Sequence, residues 1–140
     1  MSRIFWDSNL FIYFFEGNDE RSAAAKRLRK SMLDRGDQLL TSTLVVGEIL
    51  VKPTRQGDLA RCRLYEDVLR KTALILPFDL GTARRYAAIR SSTSISGPDA
   101  VQLACASEAG VDLFVTNDHR LQGKRVEGIQ FIVALDQVPI

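Results

Sequence analysis

The chain has 140 residues, 46% of them hydrophobic, with 19 Lys and Arg against 17 Asp and Glu for a net charge of +2. That length suits one compact domain spanning residues 1–140 with its own core, and so balanced a charge does not by itself mark a nucleic-acid binder. Cys62 and Cys105 lie far apart and His119 is the only histidine, which all but excludes a zinc site of thiolates and imidazoles.

Arg3 to Trp6 is a short extended run, and Ser8 opens an apolar segment through Phe15. This pattern predicts a buried strand turning directly into a helix, with Asp7 at the junction. The apolar run Leu10 to Phe15 follows no basic segment. It is also far shorter than the roughly 20 residues that cross a bilayer, so neither a signal peptide nor a membrane anchor is expected. Two reduced thiols then suit a cytoplasmic protein.

Asp19 to Leu33, DERSAAAKRLRKSML, combines a helix start, an alanine-rich interior and late cations, and Gly36 closes it. Gln38 to Thr41 is a second strand. Ser42 or Thr43 then caps a helix carrying Leu44 to Val51, which Lys52-Pro53 is expected to end. Asp58 to Lys71 is amphipathic, Leu74 to Phe78 reads as a third strand, and Asp79 caps a helix reaching about Arg90. Ser91 to Gly97 is a polar loop before a helix opened by Pro98 and stopped by Gly110. Val111 to Thr116 and Ile129 to Val133 are the last strands. Strands alternating with helices predict an α/β fold, a mostly parallel sheet covered on both faces in a three-layer α/β/α sandwich.

In such a sheet ligands bind outside the carboxyl ends of the strands. Asp7 and Asp118 directly follow strands, while Glu48 and Asp99 are expected in first turns of helices, so all of them can reach one edge. Each also has a plain structural reading. Asp7 and Asp118 can cap helices, Asp99 can complement a helix dipole, and Glu48 can turn to water. Together, however, these carboxylates repel one another, and three of them have no neighbouring cation in the sequence. A divalent ion would resolve the conflict. Oxygen-only ligands select Mg²⁺ or Mn²⁺, and the chemistry that suits them is phosphodiester hydrolysis.

Four ordered stretches carry a resemblance: Asp7-Ser8-Asn9, Val46-Gly47-Glu48-Ile49, Pro98-Asp99-Ala100 and Val115-Thr116-Asn117-Asp118. The chain resembles the PIN-domain family, and within it the VapC-type toxins of type II toxin–antitoxin pairs. The resemblance implies an endoribonuclease dependent on Mg²⁺ or Mn²⁺. Asp7, Glu48 and Asp99 would hold the principal ion directly or through water, and Asp118 would support it or a second ion. Ser8, Asn9, Thr116 and Asn117 fall where polar groups orient water or phosphate. His119 stands where the family often has arginine or another polar residue. A cognate antitoxin and a homodimer are implied in the same way.

RNA phosphates approaching an acidic centre need a basic rim. Candidates are Lys52 and Arg55 after Glu48, and Arg120, Lys124 and Arg125 after Asp118. Lys26, Arg27, Arg29 and Lys30 could serve too, or be an ordinary solvated helix face. Two other readings stay open: a PIN nuclease of RNA processing or DNA repair, and a catalytically silent PIN-like binding module.

Overall fold

The computed structural model describes residues 1–140. Strand β1 (Arg3–Trp6) passes into helix α1 (Ser8–Glu16) through Asp7, whose carboxylate accepts from the Ser8 amide. Helix α2 (Glu20–Arg35) begins at Asp19, which accepts from the Ser22 amide, and ends at Gly36. Strand β2 (Gln38–Ser42) leads into α3 (Thr43–Arg55), and Ser42 caps it by accepting from the Val45 amide. Then follow α4 (Leu59–Thr72), β3 (Leu74–Leu76), α5 (Leu80–Ser92), α6 (Gly97–Ala109), β4 (Val111–Val115) and β5 (Ile129–Val133).

Several boundaries differ from expectation. Lys52-Pro53 does not end α3, which continues to Arg55 with Pro53 buried inside it. Proline removes one helical N–H, a loss the last turn absorbs more easily than a helix centre would. Strand β3 stops at Leu76 rather than Phe78, because Pro77 has no N–H to donate to a ladder. Helix α5 runs to Ser92 and α6 starts at Gly97, so the polar loop is shorter than predicted.

The sheet has the order β3-β2-β1-β4-β5 and every pairing is parallel. On β1, Ile4 lies opposite Leu39 and Leu113, and Phe5 lies opposite Leu40 and Phe114. The Phe5 and Phe114 rings stack at 4.9 Å. Parallel strands joined by helices cross over in a right-handed sense. Moving from β1 out to β3 therefore puts α1–α4 on one face, and returning from β3 to β4 puts α5 and α6 on the other. This is the three-layer α/β/α sandwich expected.

Helix α6 is the most deeply set, with Ala100 and every residue from Gln102 to Ser107 buried. Its small side chains let it lie close to the sheet, and Leu103 alone contributes roughly 1.5–3 kcal/mol by leaving water. Gly128 allows a second close approach, where the chain enters β5. It has φ +90°, and a Cβ there would collide with the Ser107 carbonyl of α6. No helix is long and apolar enough to cross a membrane.

Candidate active site

Chain direction across the sheet reverses between β1 and β4, since β2 and β3 lie to one side of that pair and β5 to the other. A parallel sheet splays open at such a point, leaving a crevice beyond the strand ends. Asp7 leaves β1 there and Thr116 to Asp118 leave β4 there, with the Asp7 amide donating to the Val115 carbonyl at 3.1 Å. Asp99 arrives in the first turn of α6. Glu48 arrives on α3, but not in its first turn as expected: the helix begins at Thr43, directly after its Ser42 cap. The acids feel one another's charge, Asp7 that of Asp99 and Asp118, and Glu48 that of Asp7 and Asp99.

Asp7 is 7% exposed. Burial pushes its pKa up, Thr116 and the Ser8 amide pull it back, and the Asp99 and Asp118 charges push it up again. Thr116 links two of the acids. Its hydroxyl donates to Asp7 Oδ2 at 2.8 Å and accepts from the Asp118 amide at 3.0 Å.

Much of the Glu48 surface meets solvent, yet its carboxyl end is held. Gln102 Nε2 donates to Glu48 Oε1 at 2.8 Å, while Gln102 Oε1 accepts from the Ser42 hydroxyl at 2.6 Å. Partial desolvation raises the Glu48 pKa, the Asp7 charge adds to it, and hydrogen bonds from Gln102 and Ser8 oppose both. Sequence reading missed Gln102. The available signal was its place three residues after Asp99, a polar side chain on one helix face among small apolar ones.

Asp99 Oδ2 accepts from the Ser96 hydroxyl at 3.1 Å. It also lies 3.5 Å from Arg120 Nη2, while Asp118 receives the same guanidinium through both oxygens, at 3.0 Å from Nε and 2.6 Å from Nη2. The Arg120 hydrogen bond holds the Asp118 pKa below the usual carboxylate range. Arg120 was expected on the basic rim; it remains exposed but folds over the acid pair beside it, the nearest concentrated negative charge. The acid cluster therefore carries a cation of its own from two residues along the chain.

No three Asp, Glu, His or Cys side chains converge closely enough to enclose one ion. The donor set nevertheless fits a hydrated hard cation. Its oxygens are carboxylate, Mg²⁺ commonly takes only one or two carboxylates and keeps several waters, and Asn9 Oδ1 is a buried acceptor with no donor.

The other predicted residues divide. Asn117 bridges the β4 end to its surroundings, accepting from the Leu135 amide at 3.2 Å and donating to the Tyr13 hydroxyl at 3.5 Å. Lys52 pairs with Glu16 at 3.1 Å, whereas Arg55, Lys124 and Arg125 are exposed. Lys124 and Arg125 lie along the β5 edge, lining a separate cavity with Phe131. On α2, Arg27 and Lys30 are tied to Glu20 and Asp34, Lys26 is exposed, and Arg29 is half-buried, its pKa lowered by desolvation. His119 is exposed.

The family model for the PIN domain matches residues 4–126. No curated protein sequence matches the chain significantly. Among solved structures, the chain is similar to VapBC2 from Rickettsia felis bound to a promoter DNA fragment. The identity is 14% and the TM-score 0.74, covering 94% of this chain and 98% of that one. It is also similar to DNA-bound VapBC from Salmonella typhimurium, at 19% identity and TM-score 0.72 over 96% and 99% of the two chains. A third likeness is to Mycobacterium tuberculosis VapC20, a Sarcin-Ricin loop cleaving toxin, at 18% identity and TM-score 0.61 over 79% and 86%.

Proposed function

The chain belongs to the PIN-domain family, and from that premise we propose that it is an Mg²⁺- or Mn²⁺-dependent endoribonuclease, the toxin of a toxin–antitoxin pair. The observation that carries the reading is the mutual charge crowding of Asp7, Glu48, Asp99 and Asp118 at the β1–β4 switch point. When bound, the ion would supply an acidified water and neutralise charge on the phosphoryl oxygens.

The protein's own contribution is placement. Thr116 and the Ser8 amide aim Asp7, Gln102 steadies Glu48, and the first turn of α6 presents Asp99. RNA phosphate would be met by exposed Arg55, and by Arg120 once it swings off the acids. The solved relatives named above include VapBC complexes, which supports a cognate antitoxin as partner; a homodimer acting in the cytoplasm completes the proposal.

One observation favours a second reading, a catalytically silent module: the Arg120 guanidinium already pairs with Asp118 and Asp99 and offsets one of their two charges. Cleavage separates the two. Purified protein is expected to cut single-stranded or looped RNA only with Mg²⁺ or Mn²⁺. Asp99→Asn should then lose several kcal/mol of transition-state stabilisation, roughly a hundredfold or more in rate, with an unchanged circular-dichroism spectrum. Equal cleavage by that variant and the wild type would remove Asp99 from the mechanism, and no cleavage by either with any divalent ion would favour the silent module.

A further inference from the structure

A groove of about 920 Å³ runs between the α1–α2 pair and the last turn of the chain. Asn117 and His119, which flank Asp118 in the sequence, line one end of it, so that end lies one residue from Asp118, although none of the four acids lines the groove itself. Its floor is apolar, with Leu28 and Leu135. Its size lies in the range of clefts that enclose ligands of a few hundred daltons, enough for a nucleotide unit.

One wall carries a flat, charged surface. The Arg21 guanidinium lies over the Tyr13 ring, 5.6 Å from its centroid, and the Tyr13 hydroxyl accepts from the Asn117 amide. Arg21 is exposed and makes no ion pair, unlike Arg27 on the same groove, which is bound to Glu20 at 2.6 Å. A guanidinium resting on an aromatic ring, with no carboxylate to satisfy, offers its plane to a base and its N–H edge to a phosphate. Unstacked bases of single-stranded RNA are gripped on such surfaces. Asp136 on the rim keeps the groove from being uniformly basic, so the grip would come from stacking more than from charge.

We infer that this groove receives the single-stranded RNA on one side of the cut phosphate, with an unstacked base laid against the Arg21–Tyr13 pair. The inference rests on the nuclease reading above. Asn117 then also ties the stacking wall to the strand end that delivers Asp118, fixing the spacing between gripped base and reacting phosphate.

The experiment uses the full chain in an Asp99→Asn background with Mg²⁺, titrated against short single-stranded RNAs carrying 2-aminopurine at successive positions. One position is expected to lose fluorescence on binding, as a stacked 2-aminopurine does. Tyr13→Leu and Arg21→Gln should each abolish that quenching and weaken binding roughly 5- to 150-fold, while Tyr13→Phe keeps both. Arg21 is exposed, so its variant reads the groove even if Tyr13→Leu fails to fold. In the otherwise wild-type enzyme, the same Arg21→Gln change should lower kcat/KM for RNA and leave the Mg²⁺ dependence unchanged.

The proposal is overturned if RNA is cut by the wild type but both variants bind and quench like the parent. It is overturned too if they weaken only the hold on a co-expressed partner protein, which would make the groove a protein-docking surface. Absence of cleavage by the wild type with any divalent ion would instead sink the nuclease reading, an outcome the wild-type cleavage assay reports separately from the titration.

Discussion

Gln102 illustrates how much one side chain can carry. Buried at 3% exposure, it spends its carbonyl on the Ser42 hydroxyl and its amide on Glu48, coupling the start of α3 to the acid that α3 presents. Gln102→Leu keeps the volume but strands the Ser42 hydroxyl, which should cost about 1–3 kcal/mol in chemical denaturation. It also removes a hydrogen bond that lowers the Glu48 pKa, so the acidic limb of the activity–pH profile should move to higher pH. Arg120 sets the opposite problem, a cation already occupying two carboxylates. Arg120→Gln is expected to tighten Mn²⁺ binding several-fold by calorimetry, since the ion no longer competes with a guanidinium. Because the side chain is 75% exposed, its loss should change the metal-free melting temperature little. Neither partnership was legible in the sequence as a contact. Gln102 meets residues 54 and 60 positions away, and Arg120 reads as one more surface cation until its orientation is known.

At the scale of elements, local chemistry was legible and its limits were not. The caps Asp19, Ser42 and Asp79 act on amides three residues on, an interaction written in consecutive letters, and the helices they open were all anticipated. Pro53 misled because its cost depends on where in the helix it falls, and the end of α3 is set by packing that buries the proline ring. The α6–β5 contact belongs to this scale as well. Gly128→Ala adds a Cβ against the Ser107 carbonyl in a left-handed conformation, and the atom it meets first is helix backbone that cannot yield. A loss of about 1–3 kcal/mol is expected, with hydrogen exchange rising first in β5 and the end of α6. Gly36→Ala, with open space around its Cβ, should lose only the backbone part of that cost.

For the whole molecule, the sheet order decides where charge collects. Reversal between β1 and β4 brings carboxylates from four separate elements or their ends to one crevice, and the fold holds them there against their repulsion. That arrangement has a pH signature. Asp7 and Glu48 have raised pKa values, so the native state holds their protons more tightly than the unfolded chain does. Their contribution is fully favourable below about pH 4 and is lost as pH rises through the folded values. Asp118, shifted down, contributes in the other direction, present at neutral pH and lost in acid, and is weakened by its solvent-exposed partner. In EDTA, the melting temperature of wild type relative to Asp7→Asn should therefore fall as pH rises from about 4 toward neutrality. Saturating Mg²⁺ should remove most of that slope, because the ion takes the place of the protons. A relative melting curve flat with pH would mean that Asp7 is solvated or already neutralised.

The threonine between Asp7 and Asp118 gives this pH response a moving part. Thr116 must accept from the Asp118 amide, so its own hydrogen is free to point at Asp7, and the Ser8 amide covers the other Asp7 oxygen. Asp7 is thus faced by a donor on each oxygen, and a proton entering along the Thr116 hydrogen bond would turn that hydroxyl around, making it an acceptor twice over. The Thr116 O–H torsion of that form would differ from the one that faces the charged carboxylate. Serine in its place would keep that rotor, while valine would remove it and leave the Asp118 amide without its acceptor.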